Sequence, residues 1–419
     1  MRDLSPLFAT DSVRRFETEA IAAVADETLL MERAGQAAWQ RLLELWPAAT
    51  RLLVVCGAGG NGGDGFVLAR LAHASGRDVT VVEHAPHGVG HAAAAAARAR
   101  FVDAGGRMGA WRDGGLPAAD VVVDALLGIG LRDAPRVDAA ALIAAINAHG
   151  APVLALDLPS GVDAHGVPGE AVRATATIEF LLPKAVLRTG RVREHAGTLA
   201  CATLDPTGVE RPPADAWLAS ASALGRWLRP RRIDTHKGEQ GRVACVGGDT
   251  GSAGAILLCA EAAARAGAGL VRVHTRDAHQ AALLARRPEL MPMPEGEAID
   301  MEWPDAIAIG PGLGQGNWSF SHLHRVLEAD VACVLDADAL NLVARHDLPL
   351  PRRSVLTPHP GEAARLLGVA IDDVQRDRFG AAERLAGRHR AVVVLKGAGT
   401  IVAAADHAPV VLDAGNPGM

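Results

Sequence analysis

Tyrosine is absent from this 419-residue chain, and all aromatic residues together make up 3% of it. Proteins that bind nucleic acid stack bases on aromatic side chains. They also present a basic surface to the phosphates, whereas this chain carries a net charge of −6. Both shortages argue against a nucleic-acid partner, and the Arg run "RPRR" (229–232) reads as solvated linker. Cysteine is scarce and scattered, at positions 56, 201, 245, 259 and 333, with no C-x-x-C and no histidine at metal-ligand spacing. These residues read as unpaired thiols in a reducing compartment, without a zinc site. Long apolar runs are missing as well. "AAAAAAR" is far too short to span a membrane and reads as a surface-helix segment. The opening "MRDLSPLFATDSVRRFETEA" has no apolar core of signal-peptide length. The expectation is a cytoplasmic protein bound to neither membrane nor nucleic acid.

What is present has the texture of a globular α/β protein long enough for two domains. In the first half, "RLLVVC" (51–56), "VTVVE" (79–83), "DVVVDALLG" (120–128) and "PVLALDLPSG" (152–161) read as buried parallel strands. Between them lie segments of helical spacing such as "GFVLARLAHASG" (65–76) and "DAAALIAAINAHG" (138–150). Strands alternating with helices predict an open sheet with its ligand at the carboxyl ends of the strands. A Pro-, Ala- and Ser-rich stretch near 205–222 reads as an interdomain connection. A second strand–helix series follows, from "GRVACVGG" (241–248) to "AVVVLKGAGT" (391–400).

The segment "GAGGNGGDG" (57–65) directly follows the first strand and begins with G-x-G-x-x-G. That is the dinucleotide fingerprint, with Glu83 placed to act as the ribose-binding acid. Asp64 stands against it, because its charge would oppose phosphates at the helix entrance. A second reading takes Asn61, Asp124 and Ser160 as oxygen donors, each at a strand end, converging on a hard cation. A third has Asn61 and Asp64 merely stabilising a turn and capping a helix.

The motifs "LFATDSVRRFETEA", "LLMERAG" (29–35), "GAGGNGGDGFVLAR", "DALLGIGLR" and "LALDLPSGVDA" together resemble the NAD(P)H-hydrate epimerase family. Seven others resemble the ADP-dependent NAD(P)H-hydrate dehydratase family: "HKGEQGRVACVGG", "RAGAGLVRV", "IGPGLG", "VLDADALN", "TPHPGEAARLLG", "VVLKGAGT" and "GNPGM" (415–419). The resemblance implies a Rossmann-like open-sheet epimerase domain over 1–212 and a ribokinase-like α/β dehydratase domain over 222–419. The implied function is repair of hydrated NADH and NADPH: interconversion of R and S hydrates, and ADP-dependent dehydration of the S hydrate.

The resemblance also implies roles for residues. Asn61, Asp124 and Ser160 fall on potassium positions. Gly60, Asn61, Gly62, Gly63 and Asp64 fall on one substrate loop; Gly128, Ile129, Gly130, Leu131, Arg132, Asp133 and Ala134 fall on a second. Asp157 matches a substrate-contacting acid, and a carboxylate there suits proton transfer, though the same residue can simply bond the following turn. In the second half, Ala255, Gly312, Gly314 and His359 fall on substrate positions, and Lys396, Gly397, Ala398, Gly399 and Thr400 on the nucleotide site. Potassium, ADP and magnesium are the implied cofactors, and a homo-oligomer is expected. Related chains continue past the last residue here with a loop that carries a further aspartate. A chain ending at Met419 is therefore expected to epimerise but to dehydrate poorly or not at all, with a less stable second half and an apolar sheet face left uncovered. A small-molecule kinase, an NAD-dependent oxidoreductase and a non-catalytic nucleotide sensor are the alternatives.

Overall fold

The computed structural model describes residues 4–24, 27–84, 91–109, 111, 115–206, 208–226, 228 and 230–414. They divide into two compact units, residues 5–218 and the residues from 219 on together with Leu4.

The first unit runs β1 (Leu4–Leu7), α1 (Thr10–Val24), α2 (Glu27–Leu45), β2 (Arg51–Cys56), α3 (Gly60–Ala74), β3 (Asp78–Glu83), α4 (Ala92–Asp103), β4 (Arg107–Gly109), β5 (Val121–Ala125) and α5 (Val137–Ala148). It continues through β6 (Val153–Leu156), β7 (Ala176–Phe180), the short α6 (Arg193–Ala196), β8 (Thr198–Ala202) and β9 (Ala216–Ala219). Seven strands form a parallel sheet in the order β4-β3-β2-β5-β6-β7-β8. Helices cover both faces, which is why residues 52–56 of β2 and 121–123 of β5 are continuous apolar runs rather than alternating ones. The strand order reverses between β2 and β5, and a doubly wound sheet opens its crevice at such a point. Cys56, the last residue of β2, has no exposed surface.

Three expectations change here. The segment Gly60–Asp64 is not a loop; it forms the first turns of α3, although glycine is a poor helix former. Packing decides this. A Cβ on Gly62 would lie 1.9 Å from the Gly57 carbonyl oxygen, and one on Gly57 would lie 1.9 Å from that of Leu126. Only bare backbone lets α3 start this close beneath the ends of β2 and β5. The stretch taken as a plain connection, 205–222, contains strand β9. The alanine run in α4 is also more than surface, since Ala93, Ala94, Ala97 and Phe101 are buried in the core.

The second unit contains β10 (Arg242–Val246), α7 (Ala253–Ala266), β11 (Leu270–His274), α8 (Gln280–Arg286), β12 (Met291–Met293), β13 (Ala306–Ile309), α9 (Asn317–Leu327), β14 (Ala332–Leu335) and α10 (Asp338–His346). It goes on through β15 (Ser354–Leu356), α11 (Pro360–Leu367), α12 (Ile371–Arg376), α13 (Arg378–His389), β16 (Val392–Leu395), β17 (Thr400–Ala404) and β18 (His407–Leu412). Its strands lie in the order β18-β17-β16-β15-β14-β13-β10-β11-β12. They are parallel from β12 to β16 and antiparallel through β17 and β18. Again the order reverses, here between β10 and β13. Ile307, Ile309, Cys333, Leu335, Val393 and Leu395 are buried on one face. On the other face Ala306, Ala308, Ala332, Val334 and Val394 are only partly covered, Val334 being 36% exposed. The motif at 415–419 lies outside the described residues.

Gly62→Ala is expected to destabilise the first unit by about 1–3 kcal/mol through overpacking against backbone. Gly60→Ala, whose Cβ meets only the His91 ring at 3.8 Å, is expected to be neutral or stabilising. Urea unfolding of the two variants checks the contrast, and equal midpoints would refute it.

Candidate functional site

A cavity of about 580 Å³ opens at the carboxyl ends of β2, β5 and β6, where the sheet order reverses. That is within the range of small-molecule sites. Asn61, Asp64, Gly128, Ile129, Gly130, Leu131 and Asp157 all line it, so both expected segments and the acid come together. Helices α1 and α2 close it with Val13, Ile21, Leu30 and Met31, and the Arg14 guanidinium donates to the Ile129 carbonyl. Gly62, Gly63, Arg132, Asp133 and Ala134 are not among the lining residues; Gly62 and Gly63 pack inward, against Gly57 and Met31. Glu83, read as a ribose-binding acid, is held instead by Arg98 at 2.9 and 3.0 Å. The N-cap of α3 is Gly59, so Asn61 and Asp64 lie inside the helix's first turns and not at its cap position.

Asp124 sits under the cavity floor with no exposed surface. Its carboxylate accepts from Ser160 Oγ (2.5 Å), Ser160 N (2.8 Å) and Leu126 N (3.3 Å). Burial pushes this carboxyl up to about 6, although the Ser160 and Leu126 bonds pull the other way. Ser160 Oγ also accepts from Leu127 N at 2.8 Å, and Asn61 Nδ2 donates to Leu127 O at 2.8 Å. Asn61, Asp124 and Ser160 thus converge on the Leu126–Leu127 turn. Asn61 Oδ1 is buried and has no hydrogen-bond partner. An orphaned acceptor and a buried carboxyl with no counter-charge, both directed to the same turn, form a donor set that suits a hard monovalent cation. Among the described residues no cluster of His, Cys, Asp and Glu fits a transition metal.

Asp157 lies one residue past β6, in the left-handed region at φ 65°. Its Oδ1 accepts from Phe180 N at 3.2 Å and from Lys184 Nζ at 2.7 Å. Lys184 is fully buried, and its ammonium also donates to Phe180 O (2.9 Å) and Leu182 O (3.2 Å). Burial works to lower the Lys184 pKa, but the charges of Asp157 and Glu179 outweigh it and the value is raised. Glu179, equally buried, accepts from Lys184 N and pairs with Arg188 at 2.6 Å. Sequence reading missed this chain of charges. Its one signal is a lysine inside the apolar stretch "FLLPKAVL".

In the second unit the expected residues also gather at strand ends. Gly248 N donates to Pro311 O (3.0 Å) and Asp249 N to Gly312 O (2.6 Å), tying the turns after β10 and β13. A Cβ on Gly312 would stand 3.1 Å from Ala255, and one on Gly314 would stand 2.8 Å from Asp249 Oδ2. Lys396 N donates to Pro358 O (2.9 Å), and its Nζ is held by Asp336 at 2.6 Å. Gly397 to Thr400 make the turn into β17, with Thr400 Oγ1 donating to Gly397 O at 3.1 Å. The buried Arg378 guanidinium supports that turn, donating to Leu395 O and Lys396 O. His359 has a structural task, since its Nδ1 caps α11 by accepting from Gly361 N (2.9 Å) and Glu362 N (3.4 Å).

These features define a class: two doubly wound α/β units on one chain, each with glycine-rich turns at the point where its strand order reverses. The family described as "YjeF-related protein N-terminus" matches residues 27–186, and that described as "NAD(P)H-hydrate dehydratase" matches residues 243–419. The "Bifunctional NAD(P)H-hydrate repair enzyme Nnr" of Escherichia coli is 45% identical, over 98% of this chain and 81% of that protein. The Coxiella burnetii protein of the same name is 43% identical, over 99% and 87%. A crystal structure of the "ADP/ATP-dependent NAD(P)H-hydrate dehydratase" of Bacillus subtilis, co-crystallised with ATP/Mg²⁺, is 33% identical over 45% of this chain and 69% of its own, with a TM-score of 0.42. The chain belongs to the family of bifunctional NAD(P)H-hydrate repair enzymes. No helix among the described residues is long and apolar enough to cross a membrane.

One consequence is measurable in the second unit. Burial, reinforced by His322, Arg272 and Arg325, lowers the His274 pKa from 6.5 to about 4. The folded state therefore favours neutral imidazole, while the unfolded chain takes up a proton near 6.5. Stability from this group is present above 6.5 and is lost as pH falls towards about 4. His274→Gln is expected to flatten the fall in urea midpoint between pH 7 and pH 5; an unchanged slope would contradict it.

Proposed function

We propose that the chain repairs hydrated NADH and NADPH. The first unit interconverts the R and S hydrates, and the second dehydrates the S hydrate with ADP. The observation that carries the first half is Asp157, a carboxylate in the wall of a cavity of about 580 Å³ at the reversal point of the sheet. Inverting a hydroxyl-bearing carbon requires a bond at that carbon to open and re-form, with one proton removed and one returned. A single carboxylate that touches the substrate serves both halves of that exchange. The Gly128–Leu131 and Asn61–Asp64 segments hold the rest of the dinucleotide.

Asn61, Asp124 and Ser160 would hold potassium, which supplies a fixed positive charge beside the site. The orphaned Asn61 oxygen supports this reading. In the second unit Lys396 and the Gly397–Thr400 turn take the nucleotide phosphates with magnesium. Ala255, Gly312, Gly314 and His359 surround the hydrated ring. Lys396 keeps two ammonium hydrogens beyond the one given to Asp336, enough for a diphosphate. The protein works in the cytoplasm as a homo-oligomer.

The test is to incubate the protein with mixed hydrate epimers and ADP and to follow recovery of reduced-cofactor absorbance. Recovery of both epimers supports both activities. Asp157→Asn should slow epimerisation by about 100- to 10,000-fold with binding retained; loss of binding and stability together would reduce Asp157 to a turn-stabilising residue. Asp124→Ala should abolish any dependence of epimerisation on potassium over sodium. ADP should raise the thermal midpoint of the second unit, and Lys396→Ala should shrink that shift. An equal shift in both proteins would move the nucleotide elsewhere.

A further inference from the structure

Lys184 is the one fully buried lysine in the first unit's core, and nothing in the proposed chemistry above uses it. An ammonium without water is costly unless every hydrogen is bonded and a counter-charge lies close. Here its hydrogens go to Asp157 Oδ1, Phe180 O and Leu182 O, at 2.7, 2.9 and 3.2 Å. An ammonium has three hydrogens to give, so Lys184 has none left for a substrate and cannot reach the cavity. It is therefore not a proton donor to the ligand.

Its effect falls on Asp157 alone. The donors from Phe180 N and Lys184 Nζ both fall on Oδ1, while Asp157 itself lines the cavity. One carboxylate oxygen is anchored by two donors, and the other is left to face the ligand. The anchor is itself held from behind. Lys184 N donates to the fully buried Glu179, and Glu179 is fixed by Arg188. Asp157 and Leu181 both take φ 65°, so the two turns that bring the acid and the lysine together are each held out of ordinary conformations. Such backbone persists only where its surroundings over-determine it.

We propose that Lys184 is a positioning residue for epimerisation, fixing the Asp157 carboxylate so that a single oxygen meets the substrate. The proposal rests on Asp157 as the proton-transfer group. If that oxygen loses its fixed orientation, ground-state binding survives while the proton is transferred from poor geometry. A displacement of this kind costs about 100-fold in rate.

The test uses the full chain and purified R and S hydrates, with interconversion followed by chromatography. Lys184→Met should lower kcat about 100-fold and leave KM within about threefold. Lys184→Arg, which keeps the charge, should recover most of the loss. In an Asp157→Asn background, Lys184→Met should cost little more, because the lysine then has nothing to orient. This double variant also replaces the buried ion pair by neutral groups, so it keeps a folded comparison if Lys184→Met alone is unstable. Full kcat in Lys184→Met, or losses that simply add in the double variant, overturns the proposal. Asp157→Asn with parental kcat would instead overturn the acid–base reading on which it rests. Thermal midpoints of every variant separate loss of fold from loss of rate.

Discussion

The hydrogen bond between the buried Asp124 carboxylate and the Ser160 hydroxyl, 2.5 Å long, joins β5 to the turn after β6. Most of the site hangs from that junction. Ser160 Oγ in turn accepts from Leu127 N, which sets the path of the Gly128–Leu131 segment. Asn61 reaches the same turn from α3. Asp157 stands three residues before Ser160, so its place in the cavity wall follows from how that turn is pinned. The junction comes at a cost, because a carboxyl with no access to water is raised to about 6. A cation held by the same oxygens would offset that cost, which gives the pinning and the proposed binding one physical origin.

Much of this was legible in the chain. Asn61, Asp124 and Ser160 could be grouped because each follows an apolar run read as a strand, and in parallel sheets such ends meet along one edge. Asp157, Gly128 and Lys396 were placed by the same rule. What could not be read was the outcome of close packing. Five residues from Gly60 to Asp64 look like loop by propensity, and they become helix because Gly57 and Gly62 let backbones touch. The lysine in "FLLPKAVL" had no visible partner, since Asp157 lies 27 positions earlier in the sequence and only the parallel pairing of β6 with β7 brings the two segments together. Glu83 looked available for a ribose until α4 supplied Arg98. Strand β9 was hidden in a Pro- and Ala-rich stretch whose composition says connection.

The two units solve one problem with the same geometry and different chemistry. Each places glycine-rich turns where strand order reverses, leaving bare backbone at those strand ends. In the first unit the charges behind the site are sealed from water, as with Asp124, Lys184 and Glu179. In the second the corresponding pair, Lys396 with Asp336, is partly open, 41% and 31% exposed. A sealed pair suits the proton transfer proposed for the first unit, whereas an open one suits the exchange of partners that the proposed nucleotide site of the second requires.

Cys56 ends β2 and directly precedes the glycine turn of the cavity, yet its sulfur touches no solvent. Burial, with Glu83 and Asp64 nearby, raises the thiol well above its ordinary value. Only the thiolate attacks electrophiles or is readily oxidised. This thiol, one residue from the cavity lining, is thus chemically silent at neutral pH, and among the cysteines of this unit the exposed Cys201 is the one that alkylating reagents reach first. An enzyme whose proposed task is to restore reducing power keeps its own reduced sulfur out of the reactions that consume it.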